Sequence, residues 1–332
     1  MMAYNLALCE RLRSGVGKLK LKRGSIKVQS SEGLAAEILG AAGITHVVPT
    51  DQEEAQRYFN EDLPLLAIEA LTTETGKLRH LLGNFDALVV DEAQDHDPTL
   101  SVTSSQQDHA GWWSIYAALL RDGWHSPMAV FGDVAQRPPF RSVDRLDLQV
   151  VRQRLSQHAH LRLNRALRYT RPIYRFLTQL DGEGTHDLVA GLQTDGGLPD
   201  GPEVVLKEGA ASEVPSIVGQ ILDEWESAGL CAPAKVLILY DRGHISRTPL
   251  AGLEDIGGHV LLPFTETLDK PQQGAVGRAS IHKAKGLDAL GVILVGLRPF
   301  DQLTKPYERF TYFMGASRAR QLLACVHSSG LE

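Results

Sequence analysis

The sequence predicts an α/β protein with mainly parallel sheets. Short apolar runs of strand length alternate with longer amphipathic stretches over most of its 332 residues, and polar or glycine-rich turns bound each run. At about 100–200 residues per domain, this length corresponds to roughly two domains. The hydrophobic content of 43% and the charged content of 22% are close to a soluble globular average, which excludes disorder and fibrous repeats as the dominant structure.

Five apolar runs are the strongest strand candidates. They are residues 87–90, 128–131, 235–240, 292–295 and 322–326. Five amphipathic stretches are predicted to be helices, namely residues 5–12, 34–42, 111–121, 172–180 and 214–228. Glycine, aspartate and proline crowd together over residues 181–202, a composition typical of a surface loop or linker.

Charge and cysteine content exclude several classes of protein. Lysine and arginine total 34 against 40 acidic residues, so a generally basic coat is absent and nucleic acid can bind only at local patches. Cys9, Cys231 and Cys325 lie far apart without a CxxC pair, so we expect buried thiols rather than a zinc site or a disulfide framework. The sequence has neither a transmembrane-length apolar run nor a secretory signal pattern, which predicts a cytoplasmic protein without a membrane partner.

Aromatic residues cluster in and after the helix candidate 111–121. They are Trp112, Trp113, Tyr116 and Trp124. Such a cluster at helical spacing is more typical of core packing than of a base-stacking platform. We therefore expect these side chains to be buried.

The strand candidate 87–90 carries the most informative chemistry, because Asp91 and Glu92 follow it directly. Ligands of open parallel sheets bind at the carboxyl ends of strands, so two carboxylates at this point predict a metal–nucleotide site. An aspartate there can hold Mg²⁺, and the neighbouring glutamate can orient and deprotonate a water that attacks a γ-phosphate. The alternative is a solvated acidic turn after a core strand.

Four later segments place polar or cationic residues beside strand or helix ends. The second apolar strand leads into Gly132-Asp-Val-Ala-Gln136, where a glutamine can sense a γ-phosphate. Arginines in segment 163–173 and cations in segment 280–288 can pair with phosphates, and Arg318 can neutralise charge that develops during phosphoryl transfer. Each segment alone also fits a polar turn or a solvated basic surface.

In this order, the five segments resemble motifs of superfamily 1 DNA helicases of the UvrD/Rep type. DEAQD resembles the family's Walker B motif and GDVAQR its motif III, while LRYTRPI, SIHKAKGLD and YFMGASRARQLL resemble motifs IV, V and VI. The resemblance spans roughly the whole chain, with weaker similarity upstream over residues 4–13 and 26–31. It implies two RecA-like domains, with ATP and Mg²⁺ bound between them and single-stranded DNA crossing both.

The resemblance also implies roles for the matching residues. Asp91 would hold Mg²⁺, and Glu92 would be the general base. The further catalytic candidates are Gln136 as the coupling residue and Arg168 and Arg318 as γ-phosphate cations. The further cofactor-binding candidates are Lys285, Gly286 and Asp288, the last standing where the family usually has glutamate. The nucleic-acid-binding candidates are Ser30 and His282, and the alternative for His282 is a link between motif V and the domain core. Phe140 is a further candidate from its own position just after motif III, where an aromatic ring can stack on a base.

The resemblance divides the chain into two domains. Residues 1–150 would form a partial RecA-like domain with motifs Ia, II and III, and residues 151–332 a second domain with motifs IV, V and VI and a small insertion around 181–234. The family's phosphate loop, GxxxxGK[ST], does not occur in the 332 residues. We therefore expect a first domain that is truncated at its amino end. We also expect weak nucleotide binding and slow hydrolysis, because this loop supplies N–H donors, a lysine and a Mg²⁺ ligand.

Three hypotheses on function remain open from the sequence. The first is a UvrD/Rep-like, ATP-dependent helicase or translocase on single-stranded DNA, with RNA as the alternative strand. The second is a non-catalytic module that binds nucleic acid or a protein partner and retains the helicase fold. The third is a motor whose phosphate loop comes from a protein partner or an upstream segment.

Overall fold

Two units make up the chain, Met1–Leu161 and Arg162–Glu332. The computed structural model describes residues 1–3, 6–19, 26–96, 111–132, 168–180, 197–241, 248–264 and 274–329. The sequence-predicted domain boundary at 150/151 lies outside these ranges.

The first unit contains a four-stranded sheet in the order β2-β1-β3-β4. The strands are β1 (Met2–Ala3), β2 (Gln29–Ser30), β3 (Leu88–Val90) and β4 (Met128–Val130). Every strand pairing in this sheet is parallel. Among the described residues, β4 has a neighbouring strand on one side only.

Six described helices accompany this sheet. They are α1 (Leu6–Gly17), α2 (Ser31–Ala42), α3 (Gln52–Arg57), α4 (Leu63–Thr73), α5 (Thr75–Leu78) and α6 (Trp112–Leu119), and a π-helical turn, Tyr58–Asp62, joins α3 to α4. Apolar faces of α2, α4 and α6 form one core with β3. Trp112, Trp113 and Tyr116 are buried in it, and Trp124 is partly buried against it. The aromatic cluster therefore packs as predicted.

The second unit contains a seven-stranded sheet in the order β5-β11-β10-β6-β9-β8-β7. The strands are β5 (Val205–Ala210), β6 (Val236–Tyr240), β7 (Asp255–Ile256), β8 (His259–Pro263), β9 (Ala275–Ser280), β10 (Ala289–Leu297) and β11 (Ala319–Ser329). All pairings are parallel except that of the β7–β8 hairpin. Gly257 and Gly258 close this hairpin at φ values of 59° and 83°, which favour glycine.

Three described helices belong to the second unit. They are α7 (Arg171–Leu180), α8 (Val214–Ser227) and α9 (Pro306–Ala316). The apolar side of α8 joins β6, β10 and β11 in a continuous core. Trp225 of α8 packs directly on the sheet, since a Cβ added at Gly291 would lie 2.9 Å from its ring.

The predicted fold class, α/β with mainly parallel sheets, is confirmed, and the arrangement is consistent with the predicted RecA-like class. All five predicted strands and all five predicted helices are present, with ends displaced by a few residues. Cys9, Cys231 and Cys325 are buried free thiols, as predicted. None of the helices described is both long enough and apolar enough to cross a membrane.

Candidate nucleotide site

The turn after β3 holds the two predicted carboxylates at the carboxyl end of a parallel strand. The last strand residue, Val90, is fully buried, whereas Asp91 and Glu92 are partly exposed. The Asp91 N–H donates to the carbonyl of Met2 at 3.0 Å, which ties this turn to β1. The Glu92 N–H donates to Asp91 Oδ1, also at 3.0 Å. The start of the turn is therefore fixed by both backbone and side-chain bonds.

Glu92 adopts a strained backbone conformation. Its φ of 53° makes it the one described non-glycine residue in the left-handed region. This conformation costs about 1–2 kcal/mol for a residue with a Cβ. Gln94, which is buried, donates from Nε2 to Glu92 Oε2 and orients the carboxylate. Strain of this kind concentrates at functional sites, so it favours a chemical role for Glu92 over a solvated acidic turn.

The end of β4 packs against the same turn. The Ala93 N–H donates to the carbonyl of Phe131 at 2.8 Å. A Cβ added at Gly132 would lie 3.0 Å from Gln94 Oε1 and 3.2 Å from Ala93 Cβ, so this close approach favours glycine. The structure thus brings the start of the predicted motif III against motif II. Gln136 and Phe140 lie outside the described residues.

The amino end of α2 carries the predicted nucleic-acid-binding residue Ser30. Its side chain is buried, and its Oγ accepts the Gly33 N–H at 3.1 Å as the N-cap of α2. This cap explains why the helix begins at Ser31. The hydroxyl that we assigned to nucleic acid therefore has a structural hydrogen bond in this state of the protein.

Arg318 lies between α9 and β11 and is 3% exposed, so the alternative of a solvated surface arginine is wrong. Its Nε donates to the carbonyl of Met314 at 3.1 Å, and its Nη1 donates to that of Leu287 at 3.4 Å. Its Nη2 donates to Ser317 Oγ at 3.2 Å. These bonds fix the guanidinium beside the loop that follows β9.

That loop, residues 281–288, carries three further predicted residues in its first turn. Lys285 is 2% exposed, and Gly286 has a φ of 79°, which favours glycine at that position. His282 Nε2 lies 3.1 Å from the hydroxyl of Tyr307, and the two rings stack with centroids 6.1 Å apart. Burial lowers the pKa of His282, although the negative charge of Asp241 opposes this shift.

Arg168 and Asp288 form an ion pair in the second unit. Arg168 Nε lies 3.8 Å from Asp288 Oδ2, and Asp288 follows Leu287, the residue that accepts a bond from Arg318. The second unit therefore gathers residues of the predicted motifs IV, V and VI into one neighbourhood. The first unit separately holds those of motif II at the end of β3.

The donor set around Asp91 fits Mg²⁺. This ion is usually held by one or two carboxylates, with waters and substrate phosphates completing its shell. Among the described residues, no group of three or more histidine, cysteine, aspartate or glutamate side chains is arranged to hold a metal. Asp91 and Glu92 are the two partly exposed carboxylates that this turn can offer to a metal ion.

Several residues of this neighbourhood were not among the predicted site residues. Gln94 orients Glu92, while the side chains of Ser31, His96 and Tyr116 lie within hydrogen-bond distance of one another. The position of Gln94, two residues after Glu92, is visible in the sequence. The contacts among Ser31, His96 and Tyr116 depend on tertiary packing, and no spacing in the sequence predicts them.

Comparison with known proteins adds one structural likeness. No family model and no curated protein matches the sequence. A crystal structure of the C-terminal domain of a possible DNA helicase from Lactobacillus plantarum WCFS1 is similar over 50% of this chain and 90% of that domain, with 19% identity and a TM-score of 0.35. The fold class and the candidate site rest on the geometry of this chain itself.

Proposed function

We propose that this protein is a helicase-like protein of the UvrD/Rep type that acts on single-stranded DNA with ATP and Mg²⁺. The observation that carries the proposal is the turn after β3, where a strained Glu92 has its carboxylate oriented by Gln94 beside Asp91. The order of the five motif-like segments along the chain supports the same function.

The residues of the turn have distinct proposed roles. Asp91 would hold Mg²⁺, and Glu92 would accept the proton of the attacking water. When bound, Mg²⁺ would neutralise negative charge on the nucleotide's phosphates. In the second unit, Arg168 and Arg318 are the proposed phosphate-binding cations, and the backbone bonds of Arg318 set its geometry in advance.

A second candidate function is a module that binds nucleic acid without ATP turnover. The observation that favours it is the lack of GxxxxGK[ST] in these 332 residues. Without that loop, the turn after β3 supplies a metal ligand and a base but lacks the nest of N–H donors that cradles phosphates. Single-stranded DNA binding would then persist without hydrolysis.

ATP hydrolysis by the full chain, measured with and without single-stranded DNA, tests these two functions. If the chain is a motor, we expect slow turnover that requires DNA and that Glu92→Gln abolishes, because this change removes the proposed base. Glu69→Gln is the matched control, since Glu69 is an exposed glutamate of α4.

The outcomes separate the two functions clearly. DNA-dependent turnover that survives Glu69→Gln but not Glu92→Gln supports the motor. An absence of turnover with retained single-strand binding supports the binding module, and an absence of both contradicts the helicase-like assignment.

A further inference from the structure

A short segment before β5 lies along the first half of α7. It consists of residues 197–204, GLPDGPEV, and we call it the acidic strap. The Arg171 N–H, in the first turn of α7, donates to the Pro199 carbonyl at 2.9 Å. Arg171 Nη2 donates to the carbonyl of Leu198, which is buried, at 3.3 Å. These contacts attach the strap to the start of the helix.

The two carboxylates of the strap pair with the two arginines of α7. Arg171 Nη1 lies 2.9 Å from Asp200 Oδ1, and Arg175 Nη2 lies 3.3 Å from Glu203 Oε1. All four side chains are exposed. Exposed ion pairs stabilise a fold only weakly, because both charges stay hydrated and salt screens them. The carboxylates of the strap can therefore exchange with those of another polyanion at low cost.

Gly201 allows the strap to approach the residue that precedes α7. A Cβ added at Gly201 would lie 2.6 Å from Thr170 Cγ2 and 2.8 Å from Thr170 Cβ. Thr170 is 3% exposed and its N–H donates to the Arg320 carbonyl at 3.2 Å, so the strap would move rather than Thr170. A Cβ added at Gly197, in the same strap, would meet nothing within 4 Å.

The face of α7 that the strap contacts combines cations with an aromatic ring. Arg171, Tyr174 and Arg175 are separated by helical spacing and so share one side of α7, and Tyr174 is partly exposed. Guanidinium groups pair with phosphodiester oxygens, and an aromatic ring beside them can stack on a base. This combination fits a single strand of nucleic acid better than an acidic peptide, which has no bases to stack.

We propose that this face of α7 binds single-stranded nucleic acid and that the acidic strap competes with the strand for it. Asp200 and Glu203 occupy the positions at which backbone phosphates bind when the strap is displaced. This inference rests on the proposed function and adds a strand-binding surface in the second unit. The strap lowers the affinity of that surface, and its effect decreases as salt screens the charges.

The test measures the affinity of the full chain for a fluorescent oligothymidylate at low salt. Asp200→Asn combined with Glu203→Gln removes both competing charges while preserving the size of the side chains. We expect this double variant to bind roughly threefold more tightly than the wild type or better, and the gain to shrink as salt is added. The control is Glu224→Gln combined with Glu226→Gln, which removes the same charge from exposed positions of α8.

Gly201→Ala tests the same surface without a change of charge. Because this side chain displaces the strap, we expect a tighter complex with the oligothymidylate, whereas Gly197→Ala should keep the wild-type affinity. Arg175→Gln, added to the Asp200→Asn and Glu203→Gln variant, should remove most of the gain because the strand loses a cation. Thermal unfolding checks that each variant is folded, and the double variant remains the test if Gly201→Ala does not fold.

The outcomes distinguish this inference from the proposed function. Wild-type affinity in the double variant and in Gly201→Ala overturns the inference and leaves the proposed function standing. An equal gain in the α8 control also overturns it, since net charge alone would then explain the effect. A gain for a fluorescent polyglutamate peptide but not for oligothymidylate would assign the face to an acidic protein instead. A chain that binds no oligothymidylate in any variant contradicts both the inference and the proposed function.

Discussion

At the residue scale, Glu92 combines a strained backbone with an oriented carboxylate. The φ of 53° is unfavourable for any side chain with a Cβ, while Gln94 holds the carboxylate in place. Any residue other than glycine carries this strain at position 92. A glutamate at this position therefore indicates a chemical role for its carboxylate, because its backbone conformation destabilises the fold.

Two substitutions at position 92 distinguish the effect of backbone strain from the effect of losing the carboxylate. Glu92→Ala and Glu92→Gly both remove the carboxylate, but only glycine relieves the strain of the left-handed conformation. We expect Glu92→Gly to be the more stable of the two, by up to about 1 kcal/mol after the larger chain entropy of unfolded glycine is subtracted. Urea unfolding measures the difference, and a Glu92→Gly variant less stable than Glu92→Ala would show that the backbone at position 92 is unstrained.

A pH dependence of stability is predicted from His327, which is buried, and His282, which is partly buried. Burial lowers the pKa of His282 and His327 from 6.5, against the opposing effects of nearby acidic groups, Asp241 for His282 and Glu208 and Asp301 for His327. Near the pKa that these histidines have in the unfolded chain, the unfolded chain binds more protons than the folded chain does. The free energy of unfolding therefore decreases as the pH falls through that region.

Urea unfolding at about pH 7.5 and about pH 5.5 measures this loss. His327→Gln removes one titrating group while keeping a polar partner for Tyr312, whose hydroxyl lies 2.8 Å from His327 Nε2. We expect a smaller pH-dependent loss in this variant than in the wild type. An unchanged loss would show that His327 does not contribute to the pH dependence.

At the scale of elements, the sequence predicts the strands that consist of continuous apolar runs. β3, β6 and β10 are of this kind, and a fully buried strand in a parallel sheet needs little else. β9 was missed because its sequence, AVGRAS, lacks a run of large apolar residues. It is a strand because β6 and β8 pair with it on both sides, which is a tertiary effect.

Helix α8 contacts the β7–β8 hairpin through two glycines. A Cβ added at Gly219 of α8 would lie 3.2 Å from Gly257 Cα, so the helix and the hairpin approach backbone to backbone. We expect Gly219→Ala to destabilise the protein by about 1–3 kcal/mol, because the backbone contact cannot yield easily.

The matched control for this prediction is Gly40→Ala in α2. Nothing lies within 4 Å of a Cβ added at Gly40, so the better helix propensity of alanine should stabilise the protein by about 0.5–1 kcal/mol. A lower free energy of unfolding in Gly219→Ala and a higher one in Gly40→Ala, both measured in urea, would support the close backbone contact between Gly219 and Gly257. A stabilising Gly219→Ala would contradict it.

At the scale of the whole molecule, two units each have their own sheet and core. The order of the motif-like segments is a property of the sequence and indicates which residues to consider. The bonds that fix those residues, such as Arg318 to the carbonyls of Met314 and Leu287, depend on tertiary packing. Sequence patterns therefore indicate which residues to consider but not the partners that fix their side chains.

The net charge of −6 limits how nucleic acid can bind. Without a generally basic surface, binding has to depend on local cations and on the geometry of a few segments.

The most direct test of the central claim is Mg²⁺-dependent binding of a fluorescent ATP analogue to the full chain and to Asp91→Asn. Asp86→Asn is the control, because Asp86 precedes β3, forms an exposed ion pair with Arg121 and lies at the opposite end of the strand. We predict that Asp91→Asn weakens the Mg²⁺-dependent binding by roughly tenfold or more, whereas Asp86→Asn leaves it unchanged. Equal Mg²⁺-dependent affinity in the wild type and Asp91→Asn would contradict the assignment of the nucleotide site to this turn.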